Sequence, residues 1–161
     1  MTVSDALPVP HSPEEQTRYA DDLAVGQECP LGSYQLTEAE ILAFGRQWDP
    51  QYFHTDLGAA GESAFGSLVA SGIQTVAVFQ RLCVTAEYVT WKMLAGKAVR
   101  DLRFLAPVRP GDVLTGRFVI TQITPDDRGR ATISLDGDLR NQRGGVVLRL
   151  TVDCVVAMRP A

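Results

Sequence analysis

Histidine is almost missing from this chain: there are two in 161 residues, His11 near the start and His54 in the body. One body histidine among scattered carboxylates cannot build a good metal site, so no metal is expected. Cysteine is nearly as scarce. Cys29, Cys83 and Cys154 are odd in number, far apart, and form neither a CxxC pair nor zinc-ligand spacing. They read as buried free thiols in a reducing cytoplasm. No apolar run approaches the roughly 18 residues of a membrane helix. The first residues also lack the basic-then-apolar pattern of a secretion signal. Excess positive charge is absent too. The formal net charge is -4 and the pI about 5.1, which argues against a nucleic-acid partner. A Gly-rich phosphate loop, internal repeats and low-complexity segments are missing as well. What remains is an ordinary mixture, 45% hydrophobic and 21% charged, long enough for one domain with a real core.

Residues 1–20 carry Pro8, Pro10 and Pro13 and read as an N-terminal tail or an arm that docks late. Residues 21–161 are then the domain. A first helix is expected over 38–47. Thr37 is its N-cap and Glu40 completes a T-x-x-E capping box, while Pro50 stops it. A second helix is expected from Gly72 to about 88, with Ser71 as N-cap and Gln74 as capping-box partner. Its apolar residues, among them Ile73, Val76, Phe79 and Leu82, fall on more than one face, so the helix is buried. Trp91 to Lys97 is ambiguous, with Gly96 as a stop. Four strands follow at 99–105, 113–123, 130–140 and 146–156, read from period-2 alternation. Turn-rich loops at 125–129 and 141–145 join the last three as hairpins. The class is α+β, with an antiparallel sheet curled around the buried helix, because nothing else can cover it.

The stretch Trp48-Asp49-Pro50-Gln51-Tyr52-Phe53-His54-Thr55-Asp56 holds the one body histidine five positions after an aspartate. Imidazole titrates near neutral pH, so this is an acid/base candidate. Taken alone, the pair reads slightly better as a turn-capping Asp beside a packing His. Gly72, at the start of the buried helix, reads equally as a packing glycine or as an oxyanion donor.

Three segments in order change that balance: WDPQYFHTD at 48–56, FGSLVASGIQT at 65–75 and LRFLAPVRPGDVL at 102–114. Together they resemble the MaoC-like dehydratase family, which includes the R-specific enoyl-CoA hydratases. The likeness covers about residues 22–157. It implies a single hotdog domain, a curved antiparallel sheet wrapped around one long central helix. Family hydratases carry D-x-N-P-x-H. Here Asp49 and His54 keep the spacing, Gln51 stands at the Asn position, and the proline has moved to Pro50. The residue before the helix-entrance glycine, often His in the family, is Ser71.

The resemblance implies a hydro-lyase that reversibly hydrates a trans-2-enoyl-CoA to a (R)-3-hydroxyacyl-CoA. Asp49 and His54 would be catalytic and would share a water between them. The Gly72 N–H, at a helix N-terminus, would be the oxyanion hole. Gln51, Ser71 and Phe53 are the substrate-binding candidates. Gln51 reads equally as a turn stabiliser, and Ser71 reads better as an N-cap than as a catalyst. Lys97, Arg100, Arg103 and Arg109 are open candidates for coenzyme A phosphates. No cofactor is expected beyond the coenzyme A of the acyl-CoA substrate, and no nucleic acid or membrane partner. A homodimer is expected, because a lone domain of this kind exposes a sheet edge; a dimer of dimers is left open. The competing readings are an acyl-CoA thioesterase, a non-catalytic acyl-CoA-binding hotdog subunit, and one subunit of a hetero-oligomer.

Overall fold

A computed structural model describes residues 17–160; most of the expected tail, with His11, lies outside the described residues. In chain order the elements are β1 (Glu28–Gln35), α1 (Glu38–Trp48), α2 (Tyr52–Thr55), α3 (Leu57–Gly61), α4 (Gly72–Ala86), β2 (Met93–Phe104), β3 (Val113–Pro125), β4 (Arg130–Arg140) and β5 (Val146–Ala157). The strands form one antiparallel five-stranded sheet in the order β1-β3-β4-β5-β2.

The alternation in the last third of the chain is what folds it. Ala131, Ile133, Leu135 and Leu139 of β4 are fully buried, as are Leu148 and Val156 of β5. They face α4, whose Val78, Phe79, Leu82 and Cys83 are buried in turn. Under Phe79 of α4, β4 has no side chain. A Cβ on Gly137 would lie 2.2 Å from Cζ of Phe79, and one on Gly116 of β3 would lie 3.2 Å from Leu82. The sheet therefore wraps α4 by leaving bare backbone under its largest side chain.

Four expectations need correction. The sheet has five strands, not four, because β1 was missed. Pro30 and Gly32 interrupt its pattern, Gly32 has a left-handed φ of 77°, and the register to β3 shifts between them. A bulge of this kind hides period-2 alternation. Secondly, β2 starts at Met93, and Gly96 lies inside it at a register shift instead of ending anything. Thirdly, α4 ends at Ala86 and is followed by a separate turn of 3-10 helix at Tyr88–Thr90. Fourthly, Gln74 does not reach back to cap α4. It is buried and its Nε2 donates to the Glu40 carbonyl at 3.0 Å, tying α4 to α1.

Just before the domain, the Arg18 backbone bridges to Trp91, and its side chain pairs with Glu87 at 3.3 Å. The three cysteines are free and buried. Burial pushes the Cys29 thiol up to about 11 and those of Cys83 and Cys154 to about 12, so they stay unreactive thiols in the folded state. Among the described residues no helix is long and apolar enough to cross a membrane.

The bare seat under Phe79 can be tested. Gly137→Ala forces the ring out of its position and should cost about 1–3 kcal/mol in urea unfolding, as overpacking does. An unchanged midpoint would mean that the ring has a second place to go.

Candidate active site

The site begins at the C-terminus of α1. The expected capping box is present: Glu40 N–H donates to Thr37 Oγ1, and Thr37 N–H donates to Glu40 Oε2 at 2.8 Å. With the start fixed, Pro50 fixes the end, and Asp49 becomes the C-cap. Gln51 N–H donates to the Asp49 carbonyl at 2.8 Å, which turns the chain sharply into α2. That short helix carries His54. Gly45 lets α2 lie this close. A Cβ there would sit 2.6 Å from the His54 carbonyl oxygen.

His54 Nε2 lies 3.4 Å from Asp49 Oδ2. The ring is buried, and Nδ1 is 2.7 Å from the Val69 carbonyl oxygen. A carbonyl only accepts, so Nδ1 carries the proton. In the neutral ring the Nε2 lone pair then faces a carboxylate oxygen. Two acceptors that face each other in this way are arranged to share a donor, and a water molecule can serve both.

Neutral donors hold the carboxylate. Ser71 Oγ–H donates to Asp49 Oδ2 at 2.7 Å, and Gln51 Nε2–H donates to Oδ1 at 2.9 Å. The Ser71 hydroxyl, then the Gln51 amide, and more weakly the positive charge of His54 when protonated, hold the Asp49 carboxyl below its ordinary value; desolvation opposes them. Ser71 is also the N-cap of α4, accepting from Ile73 N–H at 3.3 Å. The Gly72 N–H, next in the chain, meets no acceptor among the described residues.

All six candidate residues line one cavity of about 520 Å³: Asp49, Gln51, Phe53, His54, Ser71 and Gly72. Gln51 touches the carboxylate there. Three rings shape the apolar side. Phe53 stands edge-on to His54 at 4.5 Å and to Phe65 at 5.3 Å between centroids. Phe104, at the end of β2, lies over Gly72 so closely that a Cβ there would be 2.6 Å from its Cζ. The space beside Gly72 is thus filled by a ring, which supports the packing reading of this glycine beside the donor reading of its N–H.

The Pro-Gly-Asp turn at 110–112 supports the cavity from behind. Asp112 caps it by accepting from Arg109 N–H at 2.8 Å and from Gln142 Nε2 at 2.8 Å. The Val108 carbonyl then accepts from Ala70 N–H at 2.8 Å and fixes the approach to Ser71. Most of the proposed phosphate ligands are otherwise engaged. Arg109 holds the loop at Phe65 and Ser67, Arg100 makes a bidentate pair with Asp153 at 2.8 Å, and Lys97 meets Thr132 at 3.1 Å. Arg103 stays exposed on β2.

Sequence reasoning missed Val69, Phe65, Phe104 and Gly45. The Val69 carbonyl leaves no trace in a side-chain pattern. Gly45 was open to view, because a glycine inside a helix costs about 1 kcal/mol and implies a close neighbour.

A curved antiparallel sheet around one helix, with an acid/base pair at that helix's N-terminus, defines a hotdog-type α+β domain with a candidate hydratase or dehydratase pocket. Residues 22–139 match the MaoC like domain, and the chain belongs to the MaoC-like dehydratase family. It is similar to the crystal structure of a MaoC-like dehydratase from Rhodospirillum rubrum, at 38% identity and a TM-score of 0.80, covering 89% of this chain and 99% of that one. The (R)-hydratase from A. caviae involved in PHA biosynthesis has 25% identity and a TM-score of 0.66, over 85% of this chain and 98% of that one. The uncharacterized protein YdeM of Bacillus subtilis (strain 168) is 31% identical over 103 residues, 64% of this chain and 71% of that protein. Membership supports a hydratase or dehydratase role.

Gly45→Ala tests how tightly the dyad is seated. The methyl group meets the His54 backbone, so stability should fall by about 1–3 kcal/mol. The His54 ring resonances should shift in the same variant, and with one other histidine in the chain they are simple to assign. Wild-type resonances in G45A would show that α1 and α2 can part without disturbing the pair.

Proposed function

We propose that this chain is a hydro-lyase that reversibly adds water to a trans-2-enoyl-CoA thioester, giving a (R)-3-hydroxyacyl-CoA. The observation that carries this reading is the Asp49–His54 pair in the same cavity as the unpartnered Gly72 N–H. A water held between Oδ2 and Nε2 gives up one proton to the pair as its oxygen bonds to the β carbon. The electron pair of the double bond moves to the α carbon and the thioester oxygen. Gly72 N–H, at the positive end of α4, donates to that oxygen while the charge is on it. The dyad then returns a proton to the α carbon on the same face, and the addition is syn. Phe53, Phe65 and Phe104 line the apolar space for the acyl group.

Hydrolysis of the thioester is the weaker reading. It would use an acid on the central helix, and Gly72–Ala86 contains no Asp or Glu. Glu87, just beyond, is held by Arg18.

Enoyl-CoA hydration followed by loss of the conjugated absorbance tests the proposal. Asp49→Asn and His54→Ala should each lower kcat by at least about 100-fold while the proteins stay folded. Full turnover in either variant removes that residue from the mechanism. Release of free coenzyme A by the wild type would replace hydration with thioesterase chemistry.

We also propose a twofold homodimer through β2. Among the described residues this strand pairs with β5 alone, and its other edge has no strand partner. Leu94, Val99, Leu102 and Phe104 on it are exposed, and so is Ile73 of α4. A long apolar edge of this kind invites a second copy. Light scattering should give twice the chain mass for the wild type, and Val99→Lys should halve it. A wild-type monomer would rule the pairing out.

A further inference from the structure

One hydroxyl joins the two halves of the proposed site. Ser71 is 1% exposed, and its Oγ makes two contacts of different kinds. It donates to Asp49 Oδ2 at 2.7 Å, and it accepts from Ile73 N–H at 3.3 Å. The directions are forced, because a backbone N–H can only donate and an ionised carboxylate can only accept. A serine hydroxyl has one proton, so that proton is committed to Asp49. The Ser71 carbonyl meanwhile accepts from Thr75 N–H at 3.1 Å and from Thr75 Oγ1 at 3.3 Å. Ser71 is therefore fixed to the first turn of α4 by its main chain and to the C-terminus of α1 by its side chain. The two helices are far apart in sequence, and the Gln74–Glu40 bond is a second tie between them.

Resting on the hydration reading, we propose that Ser71 is a positioning residue that locks the water-activating carboxylate to the helix end that receives the oxyanion. Asp49 Oδ2 uses one lone-pair direction on Ser71, and its remaining face is turned to His54 Nε2. Gln51 fixes the other oxygen. The carboxylate cannot rotate without breaking a hydrogen bond, and each of these bonds favours its ionised form. It is kept ionised and aimed at the shared water. Because the same serine begins α4, a displacement of the Gly72 N–H moves Asp49 with it, and the distance between base and oxyanion donor stays constant through turnover. The lowered pKa of Asp49, for which Ser71 is the largest cause, agrees with this arrangement.

Three variants separate positioning from mere helix capping. Ser71→Ala removes both contacts. Ser71→Gly removes the hydroxyl but is tolerated as an N-cap within a few tenths of a kcal/mol. Ser71→Thr keeps the hydroxyl and fits the extended backbone at this position (φ -59°, ψ 141°). Two quantities are read: steady-state kinetics on an enoyl-CoA, and titration of the Asp49 side-chain carbonyl carbon by NMR, which does not depend on the substrate. In S71G, kcat should fall about tenfold with KM little changed, the loss expected for one hydrogen bond to a charged group. The Asp49 midpoint should move up toward the ordinary carboxylate range. S71T should recover most of both. If S71A does not fold, S71G carries the test alone. An S71G protein with wild-type kcat and a wild-type Asp49 midpoint overturns the proposal and leaves hydration standing. A shifted Asp49 midpoint in S71G, with a wild type that turns over no enoyl-CoA, keeps the Ser71–Asp49 bond but overturns hydration, and with it the catalytic purpose of the lock.

Discussion

The chain has one helix that it must bury and one sheet with which to bury it. α4 buries Val78, Phe79, Leu82 and Cys83 against the sheet, while Ile73, Ala77, Gln80, Arg81 and Thr85 face outward, so it is covered on one side and not all round. The sheet covers it only by curling, and it curls only because β3 and β4 withdraw their side chains at Gly116 and Gly137. At the N-terminus of the helix, Ser71 and Gly72 border the cavity. A helix start carries unsatisfied N–H groups and a partial positive charge. The cavity therefore lies at the positive end of the helix. The segment between α1 and α4 then brings Asp49 and His54 to that place.

The parts that bring them there work mostly through the main chain. The Val69 carbonyl sets the His54 tautomer, the Gln51 N–H bends the turn at Asp49, and the Val108 carbonyl holds Ala70. This explains how the motif tolerates glutamine at 51 and proline at 50. The backbone contacts do not depend on those side chains. The amide of Gln51 still finds the Asp49 carboxylate at 2.9 Å.

Legibility in the sequence followed the same division. α1 was readable because Thr37, Glu40 and Pro50 are side-chain signals at known offsets. α4 was readable because its hydrophobicity runs around the helix, and β3, β4 and β5 because theirs alternates. β1 was not, since the bulge at Pro30–Gly32 breaks the alternation on which detection depends. Six candidate residues were drawn from two separate segments, and they do meet in one cavity. What could not be read were the contacts among them. That Ser71 turns its proton toward Asp49 and not toward a ligand follows from where α1 ends relative to α4. That relation is set by the Gln74–Glu40 bond, and Gln74 had been assigned to a cap it does not make.

The ring of Phe104 over Gly72 has a consequence for how this position can be probed. Gly72 is glycine because the ring occupies the space of any side chain; its N–H, which meets no acceptor among the described residues, would be there with any residue but proline. Any side-chain replacement there evicts the ring first, so it reports on the wall of the cavity and not on the donor. The donor and the wall are chemically separable only in the backbone. An ester in place of the Ser71–Gly72 amide deletes the N–H while leaving the ring undisturbed in its seat. The letter at position 72 thus records the wall of the cavity, while the N–H is an atom that no codon change can remove except by proline.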